Sequence, residues 1–248
     1  MATASPALTA RIVQTSGYAL DIPFVDWPEL VPAVDWRQGE HVLALGPTGC
    51  GKSTLLLGLS ERRAYVVVAA TKPRDATLER LIRSKRFHRT DKWPVPSSGR
   101  EPLYPRVIFW PSIKRASDEA GQQRAFYSFL AHIYDQGGWC VDLDELRYIT
   151  QHLRLARPVE LLWQQGRSLG VSIMAAAQRP AFIPLAAYDQ SSHLFLWRET
   201  DRRNCDRIAE IAGGAAGEVR RALPGLGTWE CLYVNTRTGA LCRTRYRR

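Results

Sequence analysis

The chain of 248 residues carries 34 Lys and Arg against 24 Asp and Glu, a formal net charge of +10 at pH 7. Its 45% hydrophobic and 23% charged residues exclude wholesale disorder, and the positive excess points to a polyanionic partner. No apolar run approaches the ~20 residues a bilayer-spanning helix needs, and residues 1–10 carry no leader pattern. Five scattered cysteines without a C-x-x-C pair read as reduced thiols, so a cytoplasmic location is expected.

Apolar runs alternate with helical patterns along the chain. Strand and helix signals follow one another over 41–45 (strand), 53–60 (helix), 64–70 (strand), 76–83 (helix) and 106–110 (strand). A helix over 122–136 follows, because Phe126, Phe129, Leu130 and Ile133 fall on one face. Next come a strand over 139–143, helices over 145–153 and 159–169, strands over 171–176 and 193–197, and a helix over 202–211. The runs at 64–70 and 171–176 are apolar without alternation, as in strands covered on both faces. The alternation implies an α/β domain with a mainly parallel sheet flanked by helices. Residues 229–234 and 241–245 read as a C-terminal β-hairpin. Residues 1–40, with Pro6, Pro23, Pro28, Pro32, Trp27 and Trp36, are expected to form a lead-in packed on a single domain over 41–248. Residues 84–105 mix charge with Pro, Ser and Gly, and read as a basic insertion outside the core.

Gly46, Pro47, Thr48, Gly49, Cys50, Gly51, Lys52 and Ser53 match G-x-x-x-x-G-K-[ST] at every fixed position, with Thr54 opening the helix that follows. Glycines let backbone N–H groups turn toward a phosphate, and the helix N-terminus adds its positive end. Lys52 is expected to reach the β- and γ-phosphates of ATP, and the Ser53 hydroxyl to hold Mg²⁺. A second element is an apolar strand ending in Asp144 and Glu145. In a parallel sheet its carboxyl end faces the phosphate loop, so Asp144 is a metal position and Glu145 a general base for an attacking water. Period two puts Asp142 on the face of Asp144, either as a further group near the metal or because the strand ends early. A third strand ends at Gln178, where an amide beside the phosphates would sense the γ-phosphate or the water.

Taken together, the Gly46–Ser53 loop, the strand closing in Asp144 and Glu145, and the passage GRSLGVSIMAAAQRP from Gly166 to Pro180 resemble the FtsK–HerA superfamily of DNA-pumping ATPases. The resemblance runs from about 42 to 226. It implies a RecA-like P-loop core that hydrolyses ATP with Mg²⁺ and assembles into a homo-oligomeric ring, usually a hexamer, around double-stranded DNA. It also implies that Arg167 reaches the neighbouring subunit's nucleotide, with Arg198, Arg202 and Arg203 as competitors. Ala177 stands where that superfamily commonly has Thr, and Asp142 where it commonly has an apolar residue. The size, which leaves no room for a nuclease or anchor domain, looks most like the genome-packaging ATPases of viruses with internal membranes; a capsid or membrane portal would then be a partner. A conjugative or chromosomal DNA-transfer ATPase would share these motifs.

Lys85, Arg86, Arg89 and Lys92 place positive charge within the 84–105 segment, either gripping DNA phosphates in a ring channel or simply solvated. Trp93 in the same segment is the tryptophan expected to make an exposed contact. The basic tail ending in Tyr246, Arg247 and Arg248 offers a further polyanion contact. A GTPase is disfavoured because no N-K-x-D motif follows the strands, and an ABC-type ATPase because no LSGGQ-like stretch occurs. A small-molecule kinase and a nucleotide-gated assembly protein remain alternatives of other classes.

Overall fold

Strands without polar alternation are stable only between two covering layers, and this requirement organises the structure. The chain is described here by a computed structural model covering residues 22–98, 101–112 and 118–245. The first half of the expected lead-in and Tyr246, Arg247 and Arg248 of the tail lie outside the described residues.

Helix α1 (Trp27–Ala33) precedes β1 (His41–Leu45), and α2 (Lys52–Ser60) leads to β2 (Val66–Ala69) and α3 (Ala76–Arg83). Then come β3 (His88–Thr90), a small ribbon of β4 (Ser97–Ser98) and β5 (Glu101–Pro102), β6 (Arg106–Phe109) and α4 (Glu119–Gln136). The chain continues through β7 (Cys140–Leu143), a π-helical turn (Tyr148–His152), α5 (Ala156–Leu169) and β8 (Ser172–Ala177). It closes with α6 (Leu185–Gln190), β9 (Ser191–Trp197), α7 (Arg202–Ile211), α8 (Ala216–Ala222) and the hairpin β10 (Glu230–Asn235) and β11 (Ala240–Arg245). Nine strands form one sheet in the order β11-β10-β9-β1-β8-β7-β2-β6-β3. From β9 to β3 every pairing is parallel; the terminal hairpin joins antiparallel.

Alternate residues of β1 enter different layers, Leu43 and Leu45 joining one core cluster and Val42 and Ala44 the other. The first layer holds Phe126, Phe129 and Ile133 of α4 with Leu162 and Trp163 of α5; the second holds Leu55, Leu56 and Leu59 of α2. Helix starts follow local chemistry. Asp75 caps α3 by accepting from the Thr77 and Leu78 N–H groups at 2.9 and 3.1 Å, and Asp201 caps α7 through Asn204 N–H at 2.9 Å.

Three expectations are corrected. The helix expected over 145–153 begins one residue later, at Leu146, and widens after Arg147 into the π-helical turn; Leu153 N–H donates to Tyr148 C=O at 3.0 Å, and the wider turn buries Ile149, Leu153 and Leu155 together. Helices α6 and α8 arise in stretches where the sequence pattern assigns no element, the latter hidden behind Gly213 and Gly214. The segment 84–105 does not stand outside the core. Its strand β3 pairs with β6 as the sheet's last strand, and Phe87 and Val95 are buried. Trp93 is packed rather than presented: its ring lies 5.1 Å from both Phe129 and Trp139 in edge-to-face contacts. Trp93→Ala should therefore destabilise the fold by about 3 kcal/mol, read from the denaturant midpoint.

At the amino ends of the strands, Glu40 is buried against His193 (Nε2 donating at 3.1 Å), the Arg37 N–H (2.9 Å) and Arg237. Burial alone would raise the Glu40 carboxyl, but hydrogen bonds from His193, Arg37 and Arg237 outweigh it and hold it at about 2 rather than 4.5. Beside it, burial lowers the His41 imidazole from 6.5 to about 4. Both shifts make the unfolded chain bind more protons on acidification. Stability should fall as pH drops from 6.5 toward 4 through His41, and again from 4.5 toward 2 through Glu40. Urea midpoints across this range should show both losses, and Glu40→Gln should flatten the lower one.

Candidate active site

Parallel register brings the ends of β1, β8, β7 and β2 to one edge. The loop after β1 is fixed there by Gly46 N–H donating to Ala177 C=O at 3.2 Å. Gly46 has no room for a side chain, since a Cβ would lie 2.5 Å from Trp197 Cβ. Gly51 has φ +107°, a left-handed conformation that turns the chain into α2. The Lys52 ammonium folds over the loop and donates to the Gly46 and Pro47 carbonyls at 2.8 Å each, inside the bowl formed by the turn.

Ser53, on the first turn of α2, donates its hydroxyl to Asp144, 2.9 and 2.8 Å from the two carboxylate oxygens. Two residues 91 positions apart thus converge as hard oxygen donors. Among the described residues no cluster of three or more His, Cys, Asp or Glu could hold a metal by itself. One hydroxyl and one carboxylate fit Mg²⁺ that arrives with nucleotide phosphates and waters. Burial pushes the Asp144 carboxyl up, opposed by the Ser53 hydrogen bond and by Lys72. Asp142 lies within β7, which runs on to Leu143, so the strand does not end early. It is buried, with one carboxyl oxygen unpartnered, and burial and then the Asp144 charge push it well above the usual carboxylate range. It lines a small cavity with Ser53, Asp75 and Asp144.

Glu145 and Gln178 face a common cleft of about 710 Å³ with Thr48, Gly49, Lys52 and Ser53. The cleft also contains residues not anticipated from the sequence. Lys72 follows β2, and its Nζ lies 2.7 Å from Glu145 Oε1; Arg147 stacks over Phe182 at 3.8 Å. A polar residue at a parallel strand's carboxyl end was the available signal for Lys72. Arg167 does not join this cleft. It sits in the last turn of α5, beside Gly39, Glu40 and Arg237 at the amino ends of the strands. Arg198 follows β9 directly, and Arg202 and Arg203 open α7, at the same edge as the loop. Of the basic residues in 84–105, Arg86 is paired with Glu61 and Arg89 lies over Trp110, while Lys85 and Lys92 are exposed.

No protein-family profile and no curated protein matches the sequence. Solved structures do. B204, the DNA-packaging ATPase of Sulfolobus turreted icosahedral virus, is similar over 86% of this chain and 100% of its own, with 12% identity and a TM-score of 0.60. VirB4 of Thermoanaerobacter pseudethanolicus is similar over 84% of this chain and 89% of its own, with 9% identity and a TM-score of 0.62. The chain shares the fold of B204 and VirB4. The genome-packaging NTPase B204 of Sulfolobus turreted icosahedral virus 2, solved with ATP-gammaS, shares that fold at 12% identity and a TM-score of 0.57, over 82% of this chain and 95% of its own. None of the helices among the described residues is long and apolar enough to cross a membrane.

The crowding at Gly46 makes a direct prediction. Gly46→Ala forces a Cβ against a side chain that cannot yield, and should cost about 2 kcal/mol in urea unfolding. Gly49→Ala meets no neighbouring atom but sits at φ +78°, so it should cost about 1 kcal/mol through backbone strain alone.

Proposed function

We propose that the protein is an ATP-driven double-stranded DNA translocase, a genome-packaging motor that works as a homo-oligomeric ring, a hexamer in the reading the sequence resemblance supports. The observation that carries ATP chemistry is the meeting of Ser53 and Asp144 beside Lys52, with Glu145 and Gln178 on the same cleft. Lys52 would leave the loop carbonyls for the β- and γ-phosphate oxygens, exchanging neutral acceptors for charged ones. Ser53 and Asp144 would hold Mg²⁺, which when bound supplies positive charge to the phosphates. Glu145 would accept the proton of the attacking water, and the Gln178 amide would orient that water or the γ-phosphate. Arg167, exposed on the edge away from its own loop, would act on the neighbouring subunit's nucleotide. The net charge of +10 supports a polyanionic track, and the packaging role of B204 supports DNA as that track.

Steady-state ATP hydrolysis with and without long double-stranded DNA, at two salt concentrations, tests this. DNA should stimulate turnover, and less so at high salt. Glu145→Gln should lose at least ~10²-fold in kcat while retaining ATP binding. Arg167→Ala should fall by ~10³-fold and regain part of its activity when mixed with Glu145→Gln, each supplying the other's missing group across an interface. Turnover indifferent to DNA would sink the motor reading, and the absence of rescue would remove Arg167.

A further inference from the structure

Trp229 is 42% exposed, whereas the other seven tryptophans of the chain are buried or half-buried. Its φ is +64°, a left-handed conformation that is costly for a bulky side chain and ordinarily falls to Gly or Asn. The local turn imposes it. Glu230 N–H donates to Gly227 C=O at 3.2 Å, and the Glu230 carboxylate accepts the Gly227 N–H at 2.8 Å. Trp229 therefore fills the third position of a doubly closed turn. That turn is placed by β10, where Cys231 lies opposite Trp197 at the end of β9. The indole thus stands at the carboxyl edge of the parallel strands, beside the phosphate loop. A Cβ on Gly51 would lie 3.4 Å from Trp229 Cε3 and 3.6 Å from Cζ3, so the ring rests where the loop enters α2.

We propose that Trp229 is the platform on which the base of the nucleotide stacks, so that the site takes a purine by its face rather than by its edge. The proposal deepens the reading of the loop as an ATP site and rests on it. In the sheet, β8 and β7 lie on one side of β1, and β9 and β10 on the other. The meeting of Ser53 with Asp144 assigns the metal and the terminal phosphates to the β7 side. An extended triphosphate carries its nucleoside at the opposite end, which falls toward β9, β10 and Trp229. Backbone strain persists where the surrounding structure over-determines it, and here it holds a flat π-face beside the loop instead of in the core. Stacking is tolerant because every base has a π-face, and purines offer the larger one. ATP and GTP are then taken alike, and CTP less well.

Calorimetric titration of the full chain with ATP, GTP, CTP and inorganic tripolyphosphate, each with Mg²⁺, tests this. Tripolyphosphate has neither base nor ribose. Trp229→Ala should weaken ATP binding about ten-fold and leave tripolyphosphate within about two-fold. Trp229→Phe should keep ATP within about three-fold of the wild type. ATP, but not tripolyphosphate, should quench the wild-type tryptophan emission, and Trp229→Phe should lose most of that change. Trp229→Gly should weaken ATP as Trp229→Ala does, while its urea midpoint stays level or rises, because Gly adopts the turn without strain. Equal losses of ATP and tripolyphosphate in Trp229→Ala would make the ring a prop for the loop and overturn the proposal. Unchanged ATP affinity in that variant would overturn it too, and a changed oligomeric state on gel filtration would then make Trp229 an interface residue. GTP weaker than ATP by about ten-fold or more would refute recognition by the face. A wild type that binds tripolyphosphate as tightly as ATP would refute the base contact and leave the phosphate loop standing. A wild type that binds neither would refute the nucleotide reading, and the proposal with it.

Discussion

Because β1, β8 and β7 run parallel, with Leu45 beside Ala177 and Leu143 beside Ala175, the segments leaving their carboxyl ends emerge at one edge of the sheet. Everything in the cleft depends on that register. β8 lies between the strand of the phosphate loop and the strand of the acidic pair, and it presents only alanines at 175–177 to its neighbours. Small side chains there let α2 lie close, with Ala176 in the same cluster as Leu55, Leu56 and Leu59. Ser53 on α2 can then reach across β8 to Asp144. A one-residue slip of β7 would turn its alternating side chains to the other face and put Leu143 where Asp142 now points. The Ser53–Asp144 hydrogen bond is thus a readout of sheet register.

What was legible in the sequence was whatever is encoded locally. The phosphate loop carries its own glycines, its preceding strand and its following helix within 20 residues, and all appear where expected. The acidic pair and Gln178 were legible because apolar runs mark strands and parallel strands share an edge. Lys72 was not, because its meeting with Glu145 depends on β2 lying next to β7, a lateral order that no local spacing encodes. Trp93 was misread for a related reason. Its neighbours in sequence are Pro and charge, while its neighbours in space are Phe109 of β6, Phe129 of α4 and Trp139 just before β7. Arg167 illustrates the limit of a motif, which names a residue without saying which edge of the sheet the residue occupies. The π-helical turn after Glu145 is likewise a tertiary outcome, since packing of Ile149, Leu153 and Leu155 overrides an ordinary helical pattern.

Two ionic arrangements sit at opposite edges of the sheet, and their difference in burial separates a structural role from a responsive one. Glu40 is 6% exposed and is tied to His193, Arg237 and a backbone N–H, so its carboxylate is compensated several times over and held ionised. Removing one partner there leaves a charge with nowhere to go, which makes the amino edge rigid. At the carboxyl edge the Lys72–Glu145 pair is partly open to water. Water substitutes for either member, and a phosphate for the carboxylate, at small cost. A site of the proposed kind, binding a polyphosphate, releasing its product and repeating, needs charges that exchange partners, whereas the strands carrying those charges must not move relative to one another. The sheet meets both demands by placing its buried ion network at one end and its exchangeable pair at the other, about a strand's length apart.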